Sequence, residues 1–366
     1  MAFFGGDEEP YAPAAPPSLK KLVPCMSIAG LAAEVFSVKF SPDGKYLAAG
    51  CGDGAVRVFN AHTGTLSQTL LSPTAGNLPA TILRFRPLSK DRTKNVLLTG
   101  NAAGAIEHWH ITSGKCLHSM VPSAEQQVYA LDYSSDGDRF AAAGKEKSVV
   151  VYDEDTRKEV CSLQSGLSYG SQHSSGHSNR IFSVKFHPTL PDMLVSGGWD
   201  NTIQIWDARA GHSVRTIYGP HLCGDALDVS DKGILTGSWR PEKQLQLWDF
   251  GTGKLIEDIN WASSLIQQRE PCMVYAAQFS APEAPDFIAA GGSGANEARV
   301  FDAKNGNALI GTVAGLERGV FTLDFAPEQR KLVVAGGDAT IRVINIVGSD
   351  AWDQERPGTA VGGGGA

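Results

Sequence analysis

The chain repeats one short unit seven times, and this repetition constrains its fold more than any other feature. The clearest copy reads MLVSGGWDNTIQIWDAR, from Met193 to Arg209. Two apolar runs, Met193–Ser196 and Thr202–Trp206, flank a tight polar turn, which is typical of a β-hairpin. Alignment on the dipeptide Trp206-Asp207 places the other copies at Phe59-Asn60, Trp109-His110, Tyr152-Asp153, Trp248-Asp249, Phe301-Asp302 and Ile344-Asn345.

The copies recur about every 40–50 residues and share one internal order. An apolar run such as VFSVKF, Val35–Phe40, is followed by a turn, two further apolar runs with a turn between them, and a short last strand. This spacing and order are expected when each unit is one four-stranded blade of a propeller. The sequence therefore predicts an all-β fold: a single seven-bladed β-propeller of four-stranded antiparallel blades.

On these residues the chain resembles the WD-repeat family, from about Lys21 to Val347. In that family an N-terminal segment usually supplies the outer strand of the last blade, so the resemblance implies that residues 21–28 close the ring. We expect a flexible N-terminal arm over 1–20, the propeller over 21–348 and a Gly-rich tail over 349–366. The blades are predicted at 34–70, 79–120, 127–163, 177–217, 219–259, 271–313 and 315–347.

The fourth repeat carries the polar set that joins the strands of a blade in this family. The set consists of His177, Ser196, Asp200 and Trp206. A buried carboxylate needs donors, and imidazole, hydroxyl and indole groups supply them. These residue types also resemble a hydrolase triad, but geometry defines a triad, and a structural role is favoured. Two residues occupy the matching turn in blades one and seven and are also predicted to be structural: Asp53 and Asp338.

One position recurs on the predicted innermost strand of every blade, and it is aromatic in five of seven copies. Its residues are Phe36, Thr81, Tyr129, Phe182, Asp225, Tyr275 and Phe321. Innermost strands line the central channel of a propeller, so these residues should form a ring near its mouth. The resemblance implies a partner peptide there, often with an inserted basic side chain, which would gain about 0.5–2 kcal/mol per cation–π contact. Asp225 would add a charge partner. The alternative is that the rings only pack between blades.

Two tryptophans lie in the second turns of blades four and five, on the same expected face. Trp199 and Trp239 suggest an interaction patch, because interface cores favour Trp and Tyr. Trp199 could instead fold back over its own blade. A separate feature is the segment ending in Trp206-Asp207-Ala208-Arg209, which resembles the box by which some WD-repeat proteins dock on a cullin-RING ligase adaptor. In that alternative, Arg209 would pair with adaptor carboxylates.

The sequence offers no set of residues for catalysis or for binding a cofactor. It has no GxxxxGK, HExxH or GxSxG motif. His108 and His110 could share one strand face, but a third metal ligand at a suitable spacing is missing. An enzyme with a site in the channel is disfavoured because paired acids are also missing. We therefore predict no enzyme activity, no cofactor and no metal.

Composition narrows the class of partner. A net charge of −7 does not indicate nucleic-acid binding. No apolar stretch approaches the roughly 20 residues of a membrane span, and the acidic start MAFFGGDEEP lacks a secretion-signal pattern. Six scattered cysteines without a CxxC spacing predict reduced, mostly buried thiols in the cytosol.

These observations favour a non-catalytic scaffold that mediates protein–protein interactions as a monomeric subunit of a larger assembly. By general resemblance we expect a cytoplasmic location, in a cytoskeletal or ciliary axonemal assembly, with no binding to nucleic acid or membrane. A substrate receptor of a cullin-RING ubiquitin ligase is the alternative. Phe3 and Phe4 could form a docking peptide or simply an unstructured start. The segment Gln164–Asn179 reads as an inserted loop that contacts partners or as a plain connector.

Overall fold

A computed structural model describes residues 18–348 except positions 91, 124, 168–173 and 262–269. These described residues form seven four-stranded antiparallel sheets and one two-stranded ribbon, with no helix among them. Neighbouring sheets pack face to face as the blades of a ring. The predicted all-β, seven-bladed propeller is confirmed, and so is its closure by an N-terminal strand.

In six blades the strands follow the chain from the channel outwards, and we call the first strand inner and the last outer. Blades one to three consist of β2 Val35–Phe40, β3 Tyr46–Cys51, β4 Ala55–Asn60, β5 Leu66–Leu71; β6 Ala80–Phe85, β7 Val96–Asn101, β8 Ile106–His110, β9 Lys115–Met120; and β10 Val128–Tyr133, β11 Arg139–Gly144, β12 Val149–Asp153, β13 Glu159–Leu163. Blades four to six consist of β16 Ile181–Phe186, β17 Met193–Gly198, β18 Thr202–Asp207, β19 His212–Tyr218; β20 Leu227–Val229, β21 Gly233–Gly237, β22 Leu245–Asp249, β23 Leu255–Asp258; and β24 Cys272–Phe279, β25 Phe287–Gly294, β26 Ala298–Asp302, β27 Ala308–Val313. Blade seven consists of β28 Val320–Phe325, β29 Lys331–Gly336, β30 Ile341–Val347 and β1 Lys21–Ile28. The ribbon consists of β14 Gly166–Leu167 and β15 Ser174–Ser175.

The core lies between neighbouring blades. The second strand of a blade is a continuous apolar run because both of its faces are covered, as in β3, where five of the six residues are buried. Leu47 of blade one, for example, packs in one cluster with Val333 and Ala335 of blade seven. Burying one such Leu or Val side chain stabilises by about 1.5–3 kcal/mol, so contact between sheets holds the ring together.

Strand β1 completes blade seven from the other end of the chain. It pairs antiparallel with β30 from Lys21↔Val347 to Ile28↔Ile341. The register shifts between Pro24 and Met26, and every other outer strand has a shift at the corresponding place. A bulge in an outermost strand twists the edge and discourages pairing with other chains. Strand β1 therefore has the same bulge as the six outer strands that directly follow the other three strands of their blade in the chain.

The last residues of the predicted N-terminal arm, residues 1–20, contact the propeller. Ser18 and Lys20 both contact blade six, where the Lys20 ammonium lies 2.8 Å from the Asp302 carboxylate. Lys20 also lies over the ring of Phe287, 4.9 Å from its centroid. Phe3 and Phe4 of the arm, and the predicted tail over 349–366, lie outside the described residues.

The first of the two long connectors forms a short ribbon, and the second is anchored by a buried tryptophan. In Gln164–Asn179, strands β14 and β15 pair, and positions 168–173 lie outside the described residues. At the start of the connector before blade six, Trp261 is buried, and its indole donates to Glu297 at 2.9 Å. The Arg299 guanidinium stacks on that indole and donates to the same carboxylate at 3.0 Å. The sequence showed Trp261 only as part of a connector, although it belongs to the core of blade six.

The polar set of blade four forms one continuous hydrogen-bonded chain. The Trp206 indole donates to the Ser196 oxygen at 2.7 Å, and the Ser196 hydroxyl lies 2.7 Å from His177 Nε2. His177 Nδ1 lies 2.8 Å from the Asp200 carboxylate, which makes Nδ1 the protonated nitrogen and Nε2 the acceptor. Burial opposes the charge on Asp200, but hydrogen bonds from His177 and neighbouring groups outweigh it and lower the pKa of this carboxyl.

This chain of groups is not a catalytic triad. Ser196 is fully buried, and its oxygen already accepts from Trp206, so a substrate has no access to it. In blades one and seven the matching acids are held differently. Asp53 pairs with Arg57 at 2.5 Å, and Asp338 pairs with Arg342 at 2.8 Å. In each of these two blades an arginine four residues further on takes the place of the histidine.

Replacing Ser196 by alanine should destabilise the protein more than removing a single hydrogen bond. The change leaves two buried groups without partners, the Trp206 indole N–H and His177 Nε2, at about 1–3 kcal/mol each. Thr236→Val is the matched control, because it leaves one buried donor without a partner: the Trp248 indole N–H, which donates to the Thr236 hydroxyl at 2.9 Å. Urea unfolding at pH 7 should show roughly twice the loss of unfolding free energy for Ser196→Ala. Equal losses would contradict the continuous chain of bonds.

All six cysteines lie within the described residues, and each is a free thiol. The prediction that most are buried is wrong, because only Cys51 and Cys272 are buried, while Cys25 is exposed and the others are partly covered. The described part of the chain contains no helix with the length and apolar character needed to cross a bilayer.

Candidate functional site at the channel mouth

Bulges in the inner strands aim one side chain per blade at the channel mouth. In six blades the register of the inner strand shifts by one residue, and the extra residue is the one that the sequence pattern singled out: Phe36, Thr81, Tyr129, Phe182, Tyr275 and Phe321. A bulge leaves its extra residue outside the ladder and redirects its side chain. In blade five the short inner strand starts at Leu227, and Asp225 precedes it.

The aromatic residues form two arcs around the mouth. Phe36 stacks on Phe321 of the neighbouring blade, with centroids 5.8 Å apart and planes 11° apart. Tyr129 stacks on Phe182 in the same way, at 5.0 Å and 9°. Tyr275 meets Phe321 edge to face at 5.6 Å. Packing between blades, the alternative drawn from the sequence, therefore does occur.

The same rings also line an open cavity of about 260 Å³. Its walls are Phe36, Thr81, Ile82, Tyr129, Phe182, Cys223, Gly224, Asp225, Tyr275 and Phe321. A cavity of this size accommodates one or two side chains of a partner rather than a drug-sized ligand. The structure thus brings all seven predicted mouth residues together in one site. Their binding of a partner stays a prediction.

The two predicted tryptophans border this cavity. Trp199 stacks on Phe182 of its own blade at 5.1 Å, and its indole N–H lies 3.2 Å from the Cys223 sulfur. It therefore folds back over its own blade, yet 38% of it remains exposed. Trp239 packs on Tyr275 with centroids 6.2 Å apart. Burial raises the pKa of Cys223 to about 11, so its thiol stays protonated at neutral pH.

Asp225 lies at the floor of the cavity, and its carboxylate is paired with side chains of the protein itself. Arg84 donates to both of its carboxylate oxygens, at 2.7 and 2.9 Å, and the Ser183 hydroxyl donates at 2.9 Å. The ammonium groups of Lys39 and Lys185 lie 3.8 and 3.6 Å away. Burial opposes the charge of Asp225, but Arg84, Lys185 and Lys39 outweigh it and hold its pKa far below the usual range.

Below Asp225 a ring of polar side chains fills the channel, one from each inner strand. Its members are Lys39, Arg84, Asp132, Lys185, Asp228, Gln278 and Asp324. Three acids of this ring also accept a backbone N–H from the next blade: Asp132 from Phe186, Asp228 from Phe279 and Asp324 from Phe40, each at 2.8 Å. Burial raises the pKa of Asp132 and of Asp228 despite their cationic neighbours. The ring joins the blades as well as closing the channel.

This ring of polar side chains was not predicted from the sequence. The signal was present, because each blade carries a charged or amide residue on its inner strand, three places after the mouth residue. The pattern alone could not show that opposite charges from different blades meet, since that depends on the order of blades around the axis.

Arg209 lies at the opposite end of blade four from the mouth. Strand β17 pairs Gly198 with Ile181 at one end and Met193 with Asp207 at the other, so the turn that carries Arg209 faces away from Trp199. The Arg209 side chain is 72% exposed, and it pairs with Asp207 at 3.1 Å and Asp192 at 3.5 Å. The structure therefore does not join Arg209 to the mouth residues.

His108 and His110, which the sequence pattern places on one strand face, have separate partners. His108 is fully buried, and its Nε2 lies 3.0 Å from Glu154, which Arg86 also contacts at 2.9 Å. His110 instead lies 2.7 Å from the Ser113 hydroxyl. Within the described residues, no three His, Cys, Asp or Glu side chains come close enough to hold a metal ion.

Comparison with known proteins agrees with this architecture. The family model for the WD domain, G-beta repeat, matches residues 24–60, 114–153 and 170–207. The chain is 26% identical to the WD repeat-containing protein slp1 of Schizosaccharomyces pombe over 62% of this chain and 43% of that protein. It is 25% identical to autophagy-related protein 16 of Arabidopsis thaliana, over 46% of this chain and 31% of the relative.

A third relative is the Arabidopsis thaliana protein called cell division cycle 20.1, cofactor of APC complex. It is 21% identical over 66% of this chain and 52% of its own length. The matches thus span between 31% and 52% of these three relatives. Three repeat matches on a ring of seven four-stranded blades, closed by a strand from the other end of the chain, make this a WD-repeat β-propeller protein.

Proposed function

We propose that this chain is a non-catalytic scaffold that binds segments of other proteins at its channel mouth, as a subunit of a larger assembly. The observation that carries the proposal is the aromatic cavity of about 260 Å³, which stays open although every neighbouring blade interface is closely packed. Interface anchors are most often Trp, Tyr or Arg side chains that enter such pockets. The WD-repeat fold is typically a non-catalytic interaction module, and fold by itself does not assign a partner.

The comparisons support an assembly subunit in general terms. One relative is by its name a cofactor of a complex, and the matching family model takes its name from the G-beta repeat. We propose protein partners rather than nucleic acid or membrane, and a cytoplasmic site of action in a cytoskeletal or axonemal assembly. The free thiols fit a reducing compartment.

Affinity capture with the wild-type chain and a Phe182→Ala, Tyr275→Ala variant tests the proposal. Removing two aromatic walls of the cavity should weaken partner capture at least about tenfold, because truncating one anchor residue commonly costs more than 1 kcal/mol. Tyr218→Ala is the matched control, since Tyr218 is an aromatic residue of an outer strand with 77% exposure. Melting curves verify that each variant is folded. An unchanged set of partners for the folded double variant would reject the mouth as a docking site.

The cullin-RING alternative rests on the exposure of Arg209. Its guanidinium would have to exchange Asp207 and Asp192 for carboxylates of an adaptor, so the site is accessible but already neutralised. We rank it second for this reason. In the same capture experiment, the absence of any cullin adaptor would remove this alternative.

A further inference from the structure

We infer that the channel mouth selects a peptide segment with an uncharged apolar or aromatic anchor flanked by acidic residues. This inference rests on the proposed function, because it names the chemistry of the partner at the same site. It differs from the basic anchor that the family resemblance implies. Three features of the mouth carry it: the orientation of its rings, the internal partners of its polar groups and the two arginines on its rim.

The first feature is the orientation of the aromatic rings. A cation is attracted by the face of an aromatic ring, whereas the edge of the ring carries partial positive charge. Phe36 and Phe321 stack on each other, as do Tyr129 and Phe182, with planes within 11° in both pairs. At centroid distances of 5.8 and 5.0 Å, each ring covers part of the face of its partner, so less of that face is open to a guest in the channel. These four rings are therefore poorly placed to surround a cation and well placed to pack against an apolar side chain.

The second feature is that the polar side chains of the cavity have internal partners. The Thr81 hydroxyl donates to the carbonyls of Gly100 and Val128, and the Tyr129 hydroxyl donates to Gln127. A guest that brings a charge would lose its hydration without gaining matching hydrogen bonds, which is costly. An apolar guest has no such requirement.

Asp225, the one carboxylate among the described residues of the cavity wall, also has internal partners. Arg84 is buried, binds both Asp225 oxygens and also donates to the Leu83 carbonyl at 2.9 Å. An inserted guanidinium would have to displace Arg84 or approach it together with Lys39 and Lys185. Two like charges 4 Å apart repel by about 4 kcal/mol at an effective dielectric constant of 20. The floor therefore does not attract a basic side chain as a free carboxylate would.

The third feature is a pair of arginines on the rim between blades four and five. The Arg180 guanidinium lies over the Trp199 ring, 5.3 Å from its centroid, and Arg240 donates to Asn201 at 2.8 Å. Both arginines thus contact the same turn beside the cavity. Among the residues that the structure describes, neither is paired with a carboxylate. The acidic side chain of Glu34 belongs to blade one and therefore lies across the channel from the two arginines. This sector of the rim favours acidic residues next to the anchor.

Selection from a phage-displayed library of random nonapeptides tests the inference, with the full-length chain as bait. We expect at least tenfold enrichment of peptides that combine Phe, Tyr, Trp or Leu with Asp or Glu, and depletion of Lys and Arg. The Arg180→Glu, Arg240→Glu variant should lose the acidic preference and keep the apolar anchor. Lys232→Glu, Lys254→Glu makes the same change of charge in turns at the other end of blade five and should select as wild type does.

The outcomes of the selection separate the inference from the proposed function. Enrichment of basic anchors, an absence of enrichment, or enrichment that persists in the folded Phe182→Ala, Tyr275→Ala variant would each overturn the inference. Enrichment of basic anchors at the mouth would leave the docking function standing. Conversely, the library can give the expected selection while the Phe182→Ala, Tyr275→Ala variant captures natural partners as wild type does. That result would support the inferred peptide preference of the cavity and reject the docking function.

Discussion

Replacing Asp225 by asparagine is expected to lower the free energy of unfolding by about 3–5 kcal/mol at pH 7. The reason is that Asp225 is the common anion for three buried cations, and its removal leaves Arg84, Lys39 and Lys185 with less compensating charge. Asparagine has nearly the same shape, so a loss of packing contributes little. Urea unfolding of both proteins, with melting curves as a second readout, measures the difference.

Asp132→Asn, in the ring of polar side chains just below Asp225, is the matched control. Burial raises the pKa of Asp132, so its charged form is disfavoured in the folded protein and the neutral amide should cost less than about 1 kcal/mol. A loss for Asp132→Asn as large as that for Asp225→Asn would show that the ring responds to any loss of negative charge. Asp225 would then have no special role as the common anion of the three cations.

The two acids should also respond to pH with opposite sign. The pKa of Asp225 is depressed on folding, so its contribution to stability is complete above its unfolded pKa of about 3.9 and is lost as the pH falls below that value. The difference between wild type and Asp225→Asn should therefore be constant from pH 7 to about 5 and shrink in stronger acid. The raised pKa of Asp132 gives stability that is present at low pH and lost as the pH rises through its folded value.

Deleting residues 1–29 should prevent stable folding, whereas deleting 1–17 should leave the melting temperature nearly unchanged. The longer deletion removes β1, which pairs along β30 and packs Leu22, Met26 and Ile28 against the cores of blades six, seven and one. Half-burying each of these side chains contributes about 1 kcal/mol, and the lost ladder of hydrogen bonds adds about 0.5–1.5 kcal/mol per bond. The sum approaches the whole stability of a typical protein, about 5–15 kcal/mol.

Thermal melting of the two truncated proteins checks this expectation. A fall of at least about 10 °C, or insoluble product, is expected for the longer deletion only. The shorter deletion keeps Ser18 and Lys20, which hold the start of β1 to Asp302. Equal melting temperatures for the two truncations would contradict the role of β1 in closing the ring.

The repeat pattern predicted the fold because each blade is specified locally. Alternating apolar runs and turn residues define the strands, and a recurring dipeptide, such as Trp206-Asp207 in blade four, fixes the register of each copy. The closing strand was accessible only through the family resemblance, since nothing in residues 21–28 names a partner more than two hundred residues away. The end of the arm could not be predicted, because the contacts of Ser18 and Lys20 with Asp302 depend on blades six and seven already being in place.

The site was predicted in part for the same reason. Counting along the inner strands found the mouth residues, since a bulge at an equivalent position in six blades directs equivalent side chains to one place. The internal pairing of Asp225 was not predicted from the sequence. Its partner Arg84 comes from blade two and lies 141 residues away along the chain, so the pairing follows from the closed ring and not from any local pattern.

Pairing of β1 with β30 also sets an order of events during synthesis on a ribosome. Strand β1 emerges first, and its partner is among the last of the described strands to be made. Blades one to six can assemble from consecutive segments as they appear, but the seventh sheet must wait until nearly all of the propeller has been translated. Until then Leu22 and Ile28 have no permanent neighbours. The nascent chain therefore carries an unpaired strand while blades one to six are being translated, a period in which chaperones have an extended apolar segment to bind.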